Sequence, residues 1–232
     1  MPAVKYRILI GIIIFVITCI AVISTISTFF QEPGKIEGQL QLDPIMLERI
    51  ERKYGLAARQ RFVNWQKLMD AGKIMPERDK LQQVNDFFNR NIEFVDDLVL
   101  WLKNDYWATP VELLAKGAGD CEDFSIAKYF TLIEIGVDES KLRITYVKAL
   151  KLNLSHMVLT YFESPQAVPL VLDNLKPDIS SATDRSDLLP VYSFNGSSLW
   201  LAKIKGSGQL LGNADRLNLW ADLKRRMLEK PF

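Results

Sequence analysis

Residues 117–136 read GAGDCEDFSIAKYFTLIEIG, and this stretch decides the fold. A glycine-containing turn over 117–121 feeds directly into a helix predicted over 122–135, whose apolar residues fall on most faces. A helix of that kind has no solvent side and must lie in the middle of a core. Gly136 stops it, and beyond the glycine the hydrophobic period shortens from helical to alternating. Segments 142–147, 157–162 and 170–172, rich in branched and aromatic residues, read as strands, with 191–194 and 199–204 as further ones. Their connections are too short for crossover helices, so the sheet is expected to be antiparallel.

Working outward, Asp43-Pro44 reads as a helix cap and first helical position. It opens an amphipathic stretch through Ile50, Phe62, Trp65 and Met69, either one long helix or two broken near Gly55. A second helix starts at Pro76 and ends near Asn91; a short one opens at Thr109-Pro110 and stops at Lys116-Gly117. The segment 94–106 declares no period, and 213–230 reads as a closing amphipathic helix. The class is therefore α+β: helices first, then a sheet, with one buried helix between them.

With 232 residues the chain suits one good core better than two. Charged residues make up 25% and hydrophobic ones 48%, the balance of an ordinary globular protein, and the formal net charge is only +1. There is no basic patch interleaved with aromatics, which argues against nucleic acid as a partner. The N-terminus differs: Lys5 and Arg7 precede a run over 8–31 without a single charge. At ~1.5 Å per residue, such a run can cross a hydrocarbon core of about 30 Å. It reads as a membrane anchor, with a cleaved signal peptide as the alternative, and either one exports the globular part of the chain. The expected organisation is export segment 1–31, linker 32–42 and one domain over 43–232.

Of the two cysteines, Cys19 falls in the export segment, which leaves Cys121 as a lone thiol in the globular part. A lone thiol in an oxidising compartment is a hazard that asks for a reason. It is either a buried inert residue or a nucleophile. The helix N-terminus favours thiolate at Cys121, and the single histidine of the chain, His156, is the available proton carrier. Asp173, at the end of the next strand, can orient that histidine, with Asn174 as the neighbouring alternative. Against activation stand Asp120, Glu122 and Asp123, whose negative charge raises a thiol pKa. These carboxylates suit calcium, which would offset their charge; alternatively they simply cap the helix. One cysteine and one histidine make no zinc site. The backbone N–H of Cys121 is the natural first oxyanion donor, and Trp101, Tyr106 and Trp107 are candidates for a second or merely core.

The stretches Tyr106-Trp107-Ala108-Thr109-Pro110, Gly119-Asp120-Cys121-Glu122-Asp123-Phe124, Lys128-Tyr129, His156-Met157-Val158-Leu159 and Leu172-Asp173-Asn174-Leu175 resemble the bacterial transglutaminase-like cysteine proteinases. Within that family they are most similar to the LapG-type periplasmic adhesin proteases. The resemblance implies a papain-like core, with the cysteine helix packed on an antiparallel sheet that carries the histidine and aspartate. It implies a Cys121, His156 and Asp173 triad and calcium near Asp120, Glu122 and Asp123. It further implies cleavage of a large surface adhesin at a dialanine bond near its N-terminus, releasing the adhesin and dispersing biofilm. Sequestration by a LapD-type inner-membrane cyclic di-GMP receptor is implied by the same likeness. Rival readings are an amine-transferring acyltransferase or cell-wall peptide hydrolase on the same site, and a tethered calcium-binding module with an inert cysteine.

Overall fold

The computed structural model describes residues 42–203 and 208–229; the export segment expected over 1–31, and all but the last residue of the linker, lie outside them. Asp43 opens α1 (Pro44–Tyr54), its side chain accepting the Met46 N–H at 2.7 Å. Gly55, at φ 87°, ends it, and α2 (Leu56–Gly72) begins at the next residue, so the long amphipathic stretch is two helices. The third helix, α3 (Glu77–Asn91), begins just after Pro76 as expected. The aperiodic segment resolves into a two-residue strand β1 (Glu93–Phe94), a one-turn helix α4 (Asp97–Leu100) and a loop. Next, α5 (Pro110–Lys116) carries a full capping box, in which Thr109 and Glu112 satisfy each other's backbone N–H groups.

Gly117 ends α5 in the left-handed conformation, φ 71°, and turns the chain into β2 (Ala118–Gly119), which pairs in parallel with β1. The central helix α6 (Cys121–Glu134) starts directly afterwards. Ile126, Ala127, Tyr129 and Leu132 on it are fully enclosed, as its all-round apolar pattern requires. One side of α6 packs on the sheet, chiefly on β4 (Leu154–Tyr161) and β3 (Leu142–Ala149), and the other meets α3 and α5. From α2, Trp65 Nε1 donates to Thr131 Oγ1 at 2.9 Å, tying that helix to α6 as well.

Seven antiparallel strands form the main sheet in the order β6-β5-β4-β3-β7-β8-β9. Besides β3 and β4 these are β5 (Leu170–Leu172), β6 (Ser180–Ser181), β7 (Leu188–Phe194), β8 (Ser198–Leu201) and β9 (Gln209–Asn213). Both β6 and β9 were unanticipated: the first is two residues long, and the second overlaps the start of the expected closing helix. Asn213 ends β9 and accepts the Asp215 N–H at 2.7 Å, capping a single 3-10 turn, so α7 begins only at Asn218 (Asn218–Glu229). This helix closes the core through Trp220, which packs against Phe194, Phe130 and Tyr129. Its Arg226 donates to the Trp107 carbonyl and pairs with Glu112.

The turn at Gly117 is what delivers the chain to Cys121, and it tolerates no side chain. A Cβ there would come within 2.5 Å of the Arg61 guanidinium carbon. That guanidinium in turn caps α5, donating to the Leu114 carbonyl at 2.7 Å and the Ala115 carbonyl at 3.1 Å. Gly117→Ala combines a left-handed alanine with the loss of those bonds and is expected to destabilise the fold by about 2–3 kcal/mol. A lower urea midpoint at unchanged slope checks this; a midpoint equal to the parent's refutes it.

Candidate active site

Cys121 is the first residue of α6, half-buried, with its thiol against β4. The backbone N–H of Met157, the residue after His156, reaches the sulfur, and the thiol itself donates to Glu122 Oε2 at 3.0 Å. Burial, then the charge of Glu122 and its hydrogen bond, and then Asp120, hold the thiol well above its ordinary pKa. Among the described residues no hydrogen bond joins the sulfur to the imidazole.

His156 and Asp173 are both buried and meet at 2.8 Å, Nε2 to Oδ1. The strand register makes this contact: Leu159 of β4 pairs with Leu172 of β5, and Asp173 is the next residue of the chain. Asn174, the other candidate, is only half-buried. With Nε2 committed to the carboxylate, Nδ1 is the nitrogen left for chemistry. Asp173 Oδ1 also accepts the Leu175 N–H at 3.0 Å, and Oδ2 lies 2.8 Å from Arg185 Nη2. Burial pushes the Asp173 carboxyl up, but His156, the Leu175 N–H and Arg185 together outweigh it and leave the pKa below the usual value. From α3, Asn89 and Asn85 hold the Asp173 and Pro177 carbonyls at 2.8 and 2.6 Å, fixing the segment that carries the acid.

The acidic cluster is not the one the motif suggested. Asp97, Asp120 and Glu122 each place a carboxylate oxygen within 4.8 Å of the others. Asp123 stands outside this group. It is fully enclosed and accepts the Ala108 N–H at 2.7 Å and, more loosely, the Asp120 N–H at 3.4 Å. Asp123 thus stitches the start of α6 to the segment before α5, and Asp97, from the one-turn helix α4, takes its place in the cluster. Sequence reasoning missed Asp97 because nothing in its own neighbourhood marks it.

The cluster fits a hard cation. Asp97 Oδ1 and Asp120 Oδ1 are buried without a hydrogen-bond partner. Burial and the neighbouring carboxylates push Asp97 up to about 6 and Asp120 up to about 10. A cation among these oxygens would relieve the burial and repulsion that raise Asp97 and Asp120, and oxygen-only donors are what calcium takes.

Of the three upstream aromatics, two are committed elsewhere. Tyr106 donates its hydroxyl hydrogen to Glu112 at 2.8 Å, and Trp107 is buried and stacked on Phe194 at 5.5 Å. Only the Trp101 indole N–H is without a partner.

Residues 65–195 match the family model of the bacterial transglutaminase-like cysteine proteinases, BTLCP. Comparison with curated proteins gives no match. Among solved structures, the calcium-bound Legionella pneumophila LapG is 43% identical with a TM-score of 0.68. The EGTA-treated form of the same protein gives 0.69 at the same identity. Each match covers 78% of this chain and 97% of the other. The chain belongs to the bacterial transglutaminase-like cysteine proteinases.

Proposed function

We propose that this proteinase is a calcium-dependent endopeptidase working through Cys121, His156 and Asp173. The observation that carries the reading is the buried His156–Asp173 bond on the strand pair whose next backbone N–H, that of Met157, meets the Cys121 sulfur. In the reaction, Cys121 Sγ attacks the scissile carbonyl carbon as thiolate, and the Cys121 N–H at the helix start donates to the developing oxyanion. His156 Nδ1–H gives its proton to the departing amine, and the S–C bond of the thioester remains. Nδ1 then takes a proton from water, whose oxygen attacks the thioester carbon; the C–S bond breaks, and the Cys121 thiolate and the imidazolium are restored as the acid product leaves. Asp173 holds Nε2–H throughout and stabilises the imidazolium.

Asp97, Asp120 and Glu122 would hold the calcium ion, which would supply positive charge against the carboxylates that add to burial in holding the thiol protonated. The calcium-bound and EGTA-treated forms of the Legionella relative support this reading. The same family likeness supports an exported enzyme, periplasmic and tethered if the 8–31 segment is retained. It supports a large repeat-containing surface adhesin as substrate, cut at a dialanine bond so that biofilm disperses. A LapD-type cyclic di-GMP receptor is the corresponding inhibitor by sequestration.

Three outcomes are expected. Cys121→Ala and His156→Ala abolish cleavage of an adhesin N-terminal fragment containing paired alanines, with circular dichroism unchanged; persistent cleavage by the Cys121 variant excludes the mechanism. Excess chelator lowers activity and melting temperature together, because an ion at about 100 times its Kd stabilises the folded form by roughly 2.7 kcal/mol. Activity that survives chelation removes calcium from the account.

Asp97→Asn raises the calcium concentration for half-maximal activity by roughly tenfold or more, since affinity depends on ligand charge. Asp123→Asn instead lowers stability by about 1.5–3 kcal/mol through its weakened charged hydrogen bond and leaves the calcium midpoint in place. Calcium titrations of both variants separate the two carboxylates; equal shifts refute the assignment.

A further inference from the structure

Behind the His156–Asp173 bond lies a second layer of charge. Arg185 comes just after the short 3-10 turn that leaves β6, and its side chain is only 2% exposed. One edge of its guanidinium grips Asp187 with two donors, Nε to Oδ1 at 3.0 Å and Nη2 to Oδ2 at 2.9 Å. The same Nη2 lies 2.8 Å from Asp173 Oδ2. Asp187 thereby fixes where the guanidinium sits, and the guanidinium fixes one oxygen of Asp173. On the other side, Lys128 of α6 is buried and interacts electrostatically with Asp173 and with Asp86. Neither cation has a well-aligned hydrogen bond to Asp173 among the described contacts, but Arg185 has a donor nitrogen in ion-pair contact with Oδ2, an oxygen otherwise without a partner.

We infer that Arg185 is a positioning residue: by pinning Asp173 Oδ2, it keeps that carboxylate ionised and turned so that Oδ1 meets His156 Nε2. The inference rests on the triad proposed for catalysis. A carboxylate 1% exposed has no water to steady it and is free to turn about its last bond unless both oxygens are held. Oδ1 is hydrogen-bonded to His156 and the Leu175 N–H; Oδ2 has no hydrogen-bond partner among the described residues and is met by the ion pair with Arg185. Without Arg185 the acid is free to turn from the imidazole or to take up a proton. Either way Nε2–H loses its acceptor, and the tautomer that leaves Nδ1 for chemistry is no longer fixed. A planar fork that spans two carboxylates suits arginine in a way lysine cannot match.

The test uses the full chain with calcium present. Because His156 is the only histidine of the sequence, its Nε2–H proton is a single downfield resonance in the spectrum of histidine-labelled protein. Arg185→Met is expected to broaden or remove that resonance. It also lowers kcat on a dialanine-containing peptide by about 10–100-fold at nearly unchanged KM, the scale seen for outer partners of oriented histidines. A resonance and kcat both equal to the parent's overturn the proposal, and so does a fall in kcat with the resonance intact. If the methionine variant does not fold, Asp187→Asn decides: this position is 21% exposed, and its substitution frees the far end of the guanidinium. It should weaken the resonance and lower kcat in the same direction; a variant identical to the parent overturns the inference. Asp173→Asn serves as the reference. If it retains full kcat, the triad reading itself fails; if it loses kcat while both other variants behave like the parent, only the role of Arg185 fails.

Discussion

A helix that starts at a half-buried turn needs partners for its first backbone N–H groups, and α6 is such a helix. The architecture around its first turn answers that need. Gly117 reverses the chain so that the helix can begin within the core, and β2 aligns the entry by pairing with β1. Asp123, the third residue of the helix, places a carboxylate where it collects the Ala108 and Asp120 N–H groups. Even the glycine before Asp120 is shaped by this: a Cβ on Gly119 would stand 2.6 Å from Asp123 Oδ2. Cys121 therefore sits on a turn held from several sides at once, which is the preorganisation that the proposed acyl transfer requires.

Around that turn, charge is divided by position. Negative groups gather on the thiol side, where Asp97, Asp120 and Glu122 face one another, and positive groups gather behind the acid of the His156–Asp173 pair, where Arg185 and Lys128 stand. Each half is unfavourable alone. Burial, reinforced by the carboxylates, holds the thiol well above its ordinary pKa, and burial lowers Lys128 to about 7. The two halves differ in how they are neutralised: the cationic one is balanced by the chain's own Asp173, Asp187 and Asp86, while the anionic one has no cation of the chain among its described partners. A site built in this way would depend on the proposed calcium ion for its electrostatics as much as for its shape.

Much of the frame was legible in the sequence because it is local. The Asp43-Pro44 and Thr109-Pro110 starts, the break at Gly55 and the buried character of α6 are all written in residues a few positions apart, and the structure carries each of them. Cys121, His156 and Asp173 stand out in the sequence for a different reason: two of them belong to residue types that are nearly absent from the chain, and the structure joins His156 to Asp173. What was hidden is what depends on long-range approach. Asp97 joins Asp120 and Glu122 only through the loop before α5, and Arg185 reaches Asp173 only through the register of β5 and β6. Neither carries a periodicity or a neighbouring motif. The closing helix, expected from 213, begins only at Asn218 because Asn213 caps a 3-10 turn over Ala214–Arg216, a local geometry that the hydrophobic pattern does not encode.

Arg226 places a different constraint on how the molecule comes into being. Its bonds to the Trp107 carbonyl and to Glu112 span 119 and 114 positions of chain, and they brace the segment whose Ala108 N–H meets Asp123. A chain folded only as far as β9 has α6 and the sheet, yet lacks the cation that anchors this segment and the Trp220 indole that seals the core beneath it. Closing a loop of that length is among the entropically most demanding steps in the fold. For a proteinase exported N-terminus first, as proposed for this one, the order matters: the bracing of its nucleophile is finished only after the late helix has emerged and docked, so a partly translocated chain is a safer passenger than a complete one.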